Sequence, residues 1–413
     1  QNFTSFLSLL RPDSSEPALV AVDGRRPLTH ADLYKAAEEM DLAQFGLAQG
    51  SKVGVMFPPG DQAAGLLLML FARYAVAPLS AQLKLEELLA AASTLQVSAI
   101  VTTAAIAEGL GEMPNGIVVI VATPSSEVSC MSELSIRGGV LPTSSFKVTK
   151  RSALNKLQDI ALLLNTSGTT SKPKTVPVTL ERLMLGAATW AEGFELGPED
   201  VGISVMPLYH IGGILTNMLA PIISGASVVV APSLDDREFM TWLRRWNVTY
   251  ISSVPATLLQ VLRIFEDAQE HNSSSLEGVK LAKVATGAAH LPHPAAKRFC
   301  EATKSGLQPT YGMTECMPIA CGHVGYNLEK PDSVGRPICG QLAIFGERGE
   351  MLPIGNQGEV CVRGPLVMPK YLSGDLPSTY GSGWLRTGDL GKLDADGWLS
   401  LSGRSKEVIN RGG

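Results

Sequence analysis

Short runs of β-branched and apolar residues recur along this chain at 18–22, 53–57, 99–102, 117–121, 160–164, 203–206, 227–230 and 250–254, each reading as a strand. Helical periodicity occupies several of the gaps between them, at 61–74, 180–194, 236–246 and 256–267. That alternation constrains the fold more than any other feature, because strands joined through helices form mostly parallel sheets with helices on their faces. Beyond Pro331 the texture changes to short alternating strands at 341–345, 359–363 and 398–401, separated by Gly- and Pro-rich turns. The expected fold class is α/β: two helix-covered, mostly parallel β-sheet subdomains plus a small β-rich subdomain in the form of a distorted barrel. The Ser-, Thr- and Gly-rich stretch 125–152 suggests a boundary. The expected divisions are therefore 1–150, 151–330, 331–402 and 403–413.

At 413 residues the chain is long enough for two or three compact units. Apolar residues make up 45% and charged residues 18%, a balance that can bury enough surface to offset the entropy of ordering and excludes wholesale disorder. A formal net charge of -5 offers no basic excess to neutralise a phosphate backbone, so nucleic acid is not an expected partner. The longest apolar run, 63–72, spans about half a bilayer and ends at Arg73, so it reads as a buried helix and not as a transmembrane segment. The chain begins at Gln1 with no signal-peptide pattern. The cysteines at 130, 300, 316, 321, 339 and 361 lack disulfide or metal spacing. Reduced, buried thiols in the cytoplasm, or in a peroxisome, are the expectation.

The sharpest local feature is Thr166-Ser167-Gly168-Thr169-Thr170-Ser171-Lys172-Pro173-Lys174, directly after the apolar run 160–164. A loop with so many hydroxyls, backbone N–H groups and two ammonium groups at the end of a buried strand suits polyphosphate oxygens. It lacks the Gly-Lys-Ser/Thr ending of a Walker A loop. By composition alone, a polar surface loop is an equal reading. Three further segments follow: Tyr311-Gly312-Met313-Thr314-Glu315, Trp384-Leu385-Arg386-Thr387-Gly388-Asp389, and Gly403-Arg404-Ser405-Lys406-Glu407-Val408-Ile409.

In order and separation these four segments resemble the signature motifs of the adenylate-forming superfamily, which includes acyl-CoA synthetases, luciferases and the adenylation domains of nonribosomal peptide synthetases. The resemblance implies activation of a carboxylic acid with ATP and Mg²⁺ to an acyl-adenylate, then transfer to a thiol. It implies a polyphosphate cradle from Thr166, Ser167, Gly168, Thr169, Thr170 and Lys174, and an adenine-flanking segment at Gly287, Ala288 and Ala289. Tyr311, beside Gly312, matches the ring that stacks on adenine. Thr314 matches a hydroxyl toward the α-phosphate, Glu315 a carboxylate oxygen for Mg²⁺, Asp389 the acceptor of the ribose hydroxyls, and Arg404 a ribose or α-phosphate contact. Lys406 matches the hinge to a small C-terminal domain whose lysine enters the site, a domain expected beyond Gly413. His210 matches a position near the acyl carboxylate; peptide synthetases selective for amino acids place an aspartate there, which points away from an amino acid substrate.

The chain departs from the family's commonest loop at Ser171 and Thr175, where glycine is usual. Within the superfamily it looks similar to the group that includes the oxalate-activating ligases of plants and yeast, but Gly212 and Pro318 stand where such enzymes can carry histidine. A monocarboxylic acid with an apolar tail is the expected substrate. CoA is the expected thiol acceptor; carrier-protein phosphopantetheine, as in an adenylation module, is an alternative, and a non-catalytic nucleotide or acyl binder is a second. His290, His293 and Cys300 lack a fourth ligand cluster, so zinc is not expected.

Overall fold

The computed structural model describes residues 3–137, 152–166, 174–271, 276–326, 328–381 and 383–404. The chain divides into two compact units, Gln1–Ala187 with Gly197–Leu234, and Ala188–Leu196 with Asp235–Gly413. As expected, the class is α/β, with largely parallel sheets and a small antiparallel sheet.

In the first unit, one sheet has the strand order Ser132–Ile136, Val118–Pro124, Ala99–Thr102, Lys52–Phe57, Ala75–Ser80, Ile160–Thr166 and Lys174–Thr179. Its inner pairs are parallel and its two outer pairs antiparallel. Strands Val201–Ser204, Ser227–Val230 and Pro17–Ala21 pair in parallel, and Leu28–Thr29 adds an antiparallel edge to the last of them. The apolar run read as a core helix is one: helix Asp61–Leu70 is buried at every residue from Ala63 to Leu70. A helix buried all round packs against backbone as well as side chains. At Gly65 a β-carbon would fall 1.9 Å from the carbonyl oxygen of Cys130, so even alanine would force that backbone to shift.

In the second unit, strands Tyr250–Ser253, Lys283–Thr286 and Gly306–Met313 pair in parallel, and Cys316–Cys321 and Arg336–Pro337 continue antiparallel. Helices Phe239–Arg245, Pro255–His271 and His293–Thr303 belong to the same unit. The change of texture beyond Pro331 corresponds to the antiparallel sheet Gln341–Phe345, Gly358–Arg363, Trp384–Leu393 and Thr379–Tyr380, with Leu399–Arg404 also paired to Trp384–Leu393.

Helix boundaries differ from the periodicity where the chain supplies its own stop. The helix expected over 61–74 ends at Leu70, because the chain turns at 71–73 to begin strand Ala75–Ser80. The one expected over 236–246 starts at Phe239, after Asp235 accepts the backbone N–H groups of Arg237 and Glu238 through its side chain. Among the described residues, no helix is long and apolar enough to cross a membrane. None of the six cysteines forms a disulfide, and five are buried.

Gly65→Ala should cost about 1–3 kcal/mol, the usual penalty of overpacking a close-packed core. Gly109→Ala, where a β-carbon meets nothing within 4 Å, should be close to neutral. Thermal unfolding of the two variants beside the parent checks the contrast.

Candidate functional site

The second unit contains a cavity of about 580 Å³, within the range of small-molecule sites. One wall comes from the segment that leaves strand Lys283–Thr286 and from the second half of Gly306–Met313. Another comes from Thr387, Asp389 and residues 401–404. Ligands of parallel sheets bind at such carboxyl ends of strands. Of the residues singled out from the sequence, Ala288, Ala289, Tyr311, Gly312, Asp389 and Arg404 line this one cavity.

Asp389 sits at the centre of the polar part. Strand pairing sets Asp389 directly opposite Arg404. Arg404 donates through Nε to Asp389 Oδ1 at 3.1 Å, and the Tyr311 hydroxyl donates to Oδ2 at 2.5 Å. Burial, reinforced by the negative Asp389, holds the Tyr311 phenol well above its ordinary pKa, so it remains a donor at any working pH. An ionised carboxylate has about four lone-pair positions, so two contacts leave capacity for ligand hydroxyls.

Sequence reasoning missed the support beneath Asp389. Glu359 is buried, accepts from Arg386 Nε at 2.8 Å and Nη2 at 2.6 Å, and accepts the backbone N–H of Gly388 at 3.1 Å. Thr387 donates its hydroxyl to the Val360 carbonyl and accepts the Asp389 N–H. Strand Gly358–Arg363 thus fixes the three residues before Asp389. The available signal was a lone carboxylate beside the apolar run 360–362 of strand Gly358–Arg363, where a buried charge demands a partner.

The packing behind the other wall is tight. Gly287 abuts Thr310, whose Oγ1 would lie 2.4 Å from an added β-carbon, and Gly312 abuts the Met317 sulfur. Ala288 has φ of +65°, a left-handed conformation that costs a non-glycine residue about 1–2 kcal/mol and is found at binding loops. Two wall atoms, Thr286 Oγ1 and His293 Nδ1, are buried without a partner among the described residues, which suits a polar ligand or solvent supplying the missing bonds.

Gly287, Thr314 and Glu315 do not line the cavity. Thr314 and Glu315 form the two-residue connection between strands Gly306–Met313 and Cys316–Cys321, with Met313 paired to Cys316. Glu315 is buried, accepts the Tyr371 hydroxyl at 3.2 Å, and accepts the Met368 N–H on its backbone carbonyl at 2.9 Å. Burial and the adjacent Glu315 push the Tyr371 phenol up to about 12. One carboxylate is enough for Mg²⁺ when phosphates and water complete the octahedron, and among the described residues no group of three or more His, Cys, Asp or Glu offers a protein-only cage.

In the first unit, strands Ile160–Thr166 and Lys174–Thr179 form the arms of a hairpin with Thr166 paired to Lys174. Ser167, Gly168, Thr169, Thr170, Ser171 and Lys172 lie outside the described residues, as does Lys406. Thr175, where glycine is usual, is buried and donates its hydroxyl to Asn165 Oδ1 at 2.7 Å across the hairpin. His210 precedes a helix that runs as Ile211–Ile214, a π-helical turn Leu215–Leu219, and Ala220–Ser224. Such π turns recur at functional sites. Partial burial lowers the His210 pKa, favouring the neutral imidazole.

Glu359→Gln should lower stability by about 2 kcal/mol, the scale of hydrogen bonds to charged groups, because Arg386 is a third exposed and so partly screened. Its thermal midpoint should fall accordingly, while a surface control such as Glu347→Gln should not move.

Residues 11–372 match the AMP-binding enzyme family. The chain is 31% identical over 426 residues to oxalate–CoA ligase of Arabidopsis thaliana, covering 95% of this chain and 77% of the relative. It is also 31% identical over 411 residues to sulfoacetate–CoA ligase of Cupriavidus necator, covering 96% and 77%. Among solved structures, apo MatB from Rhodopseudomonas palustris aligns with a TM-score of 0.82 at 21% identity, covering 98% of this chain and 79% of that one. The O-succinylbenzoate coenzyme A synthetase MenE from Bacillus subtilis, in complex with ATP and magnesium ion, aligns at 0.79 with 22% identity, covering 100% and 82%. At these identities the two structures speak for the fold; the family match over most of the chain, with two relatives above 30% identity, places it among the AMP-binding enzymes.

Proposed function

We propose that this protein is an acid–CoA ligase, which uses ATP to convert a carboxylic acid into an acyl-adenylate and passes the acyl group to the thiol of CoA. The observation that carries the reading is Asp389, held between Tyr311 and Arg404 in a cavity walled by Ala288 and Ala289. That arrangement offers an aromatic face, a sugar-binding carboxylate and a cationic fork to one nucleoside monophosphate. CoA-ligase relatives support CoA as the acceptor.

In the first half-reaction a carboxylate oxygen attacks the α-phosphorus and pyrophosphate leaves with the electrons of the broken P–O bond. In the second, the CoA sulfur attacks the acyl carbon and AMP leaves. A carboxylate is a weak nucleophile, so the protein's contribution is positioning and charge neutralisation. We assign Tyr311 to the adenine and Asp389 to the ribose hydroxyls. Arg404 takes the ribose or α-phosphate, and Thr314 the α-phosphate. The hydroxyls and Lys174 of segment 166–174 take the phosphate tail, and a neutral His210 the region of the acyl carboxylate. Glu315 would hold Mg²⁺, which supplies charge neutralisation on the phosphates when bound.

Asp389→Ala should weaken binding of AMP by about 10- to 100-fold, the value of one or two hydrogen bonds to a charged acceptor, in calorimetry on the folded variant. Wild-type protein that binds neither ATP nor a non-hydrolysable acyl-AMP mimic would sink the proposal.

The acid is one with an apolar tail. Gly212 and Pro318 bring no cation to a second carboxylate, and Ala288, Ala289, Gly312 and Met313 offer only small or apolar side chains. Hydroxamate trapping with ATP should give more product from hexanoate or cinnamate than from oxalate; the reverse order would refute this assignment.

A further inference from the structure

A glutamate on a two-residue hairpin connection is ordinarily a solvated side chain with several rotamers open to it. Glu315 is not, since only 8% of it is exposed although it occupies the connection between two antiparallel strands. The chain at 368–371 grips it twice. Met368 donates its backbone N–H to the Glu315 carbonyl at 2.9 Å, and Tyr371, itself 9% exposed, donates its hydroxyl to Oε1 at 3.2 Å. One contact fixes the backbone of the turn and the other the carboxylate. Magnesium tolerates little departure from octahedral geometry, and among the described residues no group of three or more His, Cys, Asp or Glu offers it a ready-made cage. The orientation of a single carboxylate then decides how well the ion is held, and removal of an outer partner of a ligating group typically costs 10- to 100-fold in metal affinity.

We infer that Tyr371 is a positioning residue that holds the Glu315 carboxylate in place for a divalent cation arriving with the nucleotide phosphates. The inference rests on the reading of Glu315 given above and adds a residue that acts on the cation only through it. Tyr371 does not line the cavity that holds Asp389, so its effect should separate from nucleotide binding as such.

The experiment is calorimetry of a non-hydrolysable ATP analogue binding to the full chain, in EDTA and over a Mg²⁺ series, with wild type, Tyr371→Phe and Tyr371→His. In wild type, Mg²⁺ should strengthen binding. In Tyr371→Phe the Mg²⁺ concentration giving half that gain should rise about 10-fold or more, with affinity in EDTA unchanged. Tyr371→His, which restores a ring N–H donor, should recover part of the loss; Tyr371→Leu, which also lacks the donor, gives the same comparison if the phenylalanine variant does not fold. An unshifted Mg²⁺ midpoint in Tyr371→Phe, or an equal loss in EDTA, overturns the positioning role while leaving the Glu315 assignment standing. Wild-type binding indifferent to Mg²⁺ overturns both.

Discussion

The candidate site depends on a carboxylate that is already occupied from two directions. Asp389 accepts a phenol from one strand system and a guanidinium from the strand beside it, and neither contact survives unless both sheets of the second unit keep their register. Partly buried charge is costly unless paired, so the pairing is what allows a carboxylate to face a cavity at all. The donors that compensate it also pre-orient it. A ligand meeting Asp389 does not have to order it first, which removes part of the entropy cost of binding.

The same logic recurs below the surface. Glu359 and Arg386 neutralise one another and pin Gly388 and Thr387, so the turn leading into Asp389 is set by a second carboxylate that lies outside the cavity. Arg386 also lies over the Tyr380 ring at 4.3 Å, and Tyr380 stacks on Phe345, which joins this polar support to the apolar core of the small sheet.

Much of the fold was legible because its long parallel strands carry unbroken apolar runs; Lys52–Phe57, Ile160–Thr166 and Ser227–Val230 sit where composition put them. Two of the strands that were not foreseen share a cause. Gly306–Met313 contains Gly306, Pro309 and Gly312, residues that punctuate loops, and its register shifts between Tyr311 and Met313. The glycine faces Met317 closely and the proline has no N–H to offer, so both are local exceptions imposed by the cavity wall and its partner strand. Lys174–Thr179 was hidden by Pro177 in the same way. In the candidate site, the motif residues could be read by resemblance, and six of the residues given a role there, Ala288, Ala289, Tyr311, Gly312, Asp389 and Arg404, do share one cavity. Glu359 and Tyr371 could not, because a supporting residue is defined by what it touches at a distance of tens of residues. Thr175 was read as a departure from a glycine position, and its hydroxyl proves to bridge the hairpin to Asn165.

Arg404 owes its place to a ladder of backbone bonds, since Asp389 and Arg404 are partners in strand pairing before they are partners in charge. A displacement of Leu399–Arg404 by one position along its neighbour would turn Arg404 to the opposite face of the sheet and leave a serine or glycine near Asp389. The irregularity between Leu390 and Gly391 breaks the ladder's uniform spacing one pair away from it. Such a break acts like a notch on a ratchet, giving the strand one seating and making a slipped alternative expensive. The cation of the cavity is thereby indexed to the sheet mechanically, whatever the salt concentration does to its attraction for Asp389.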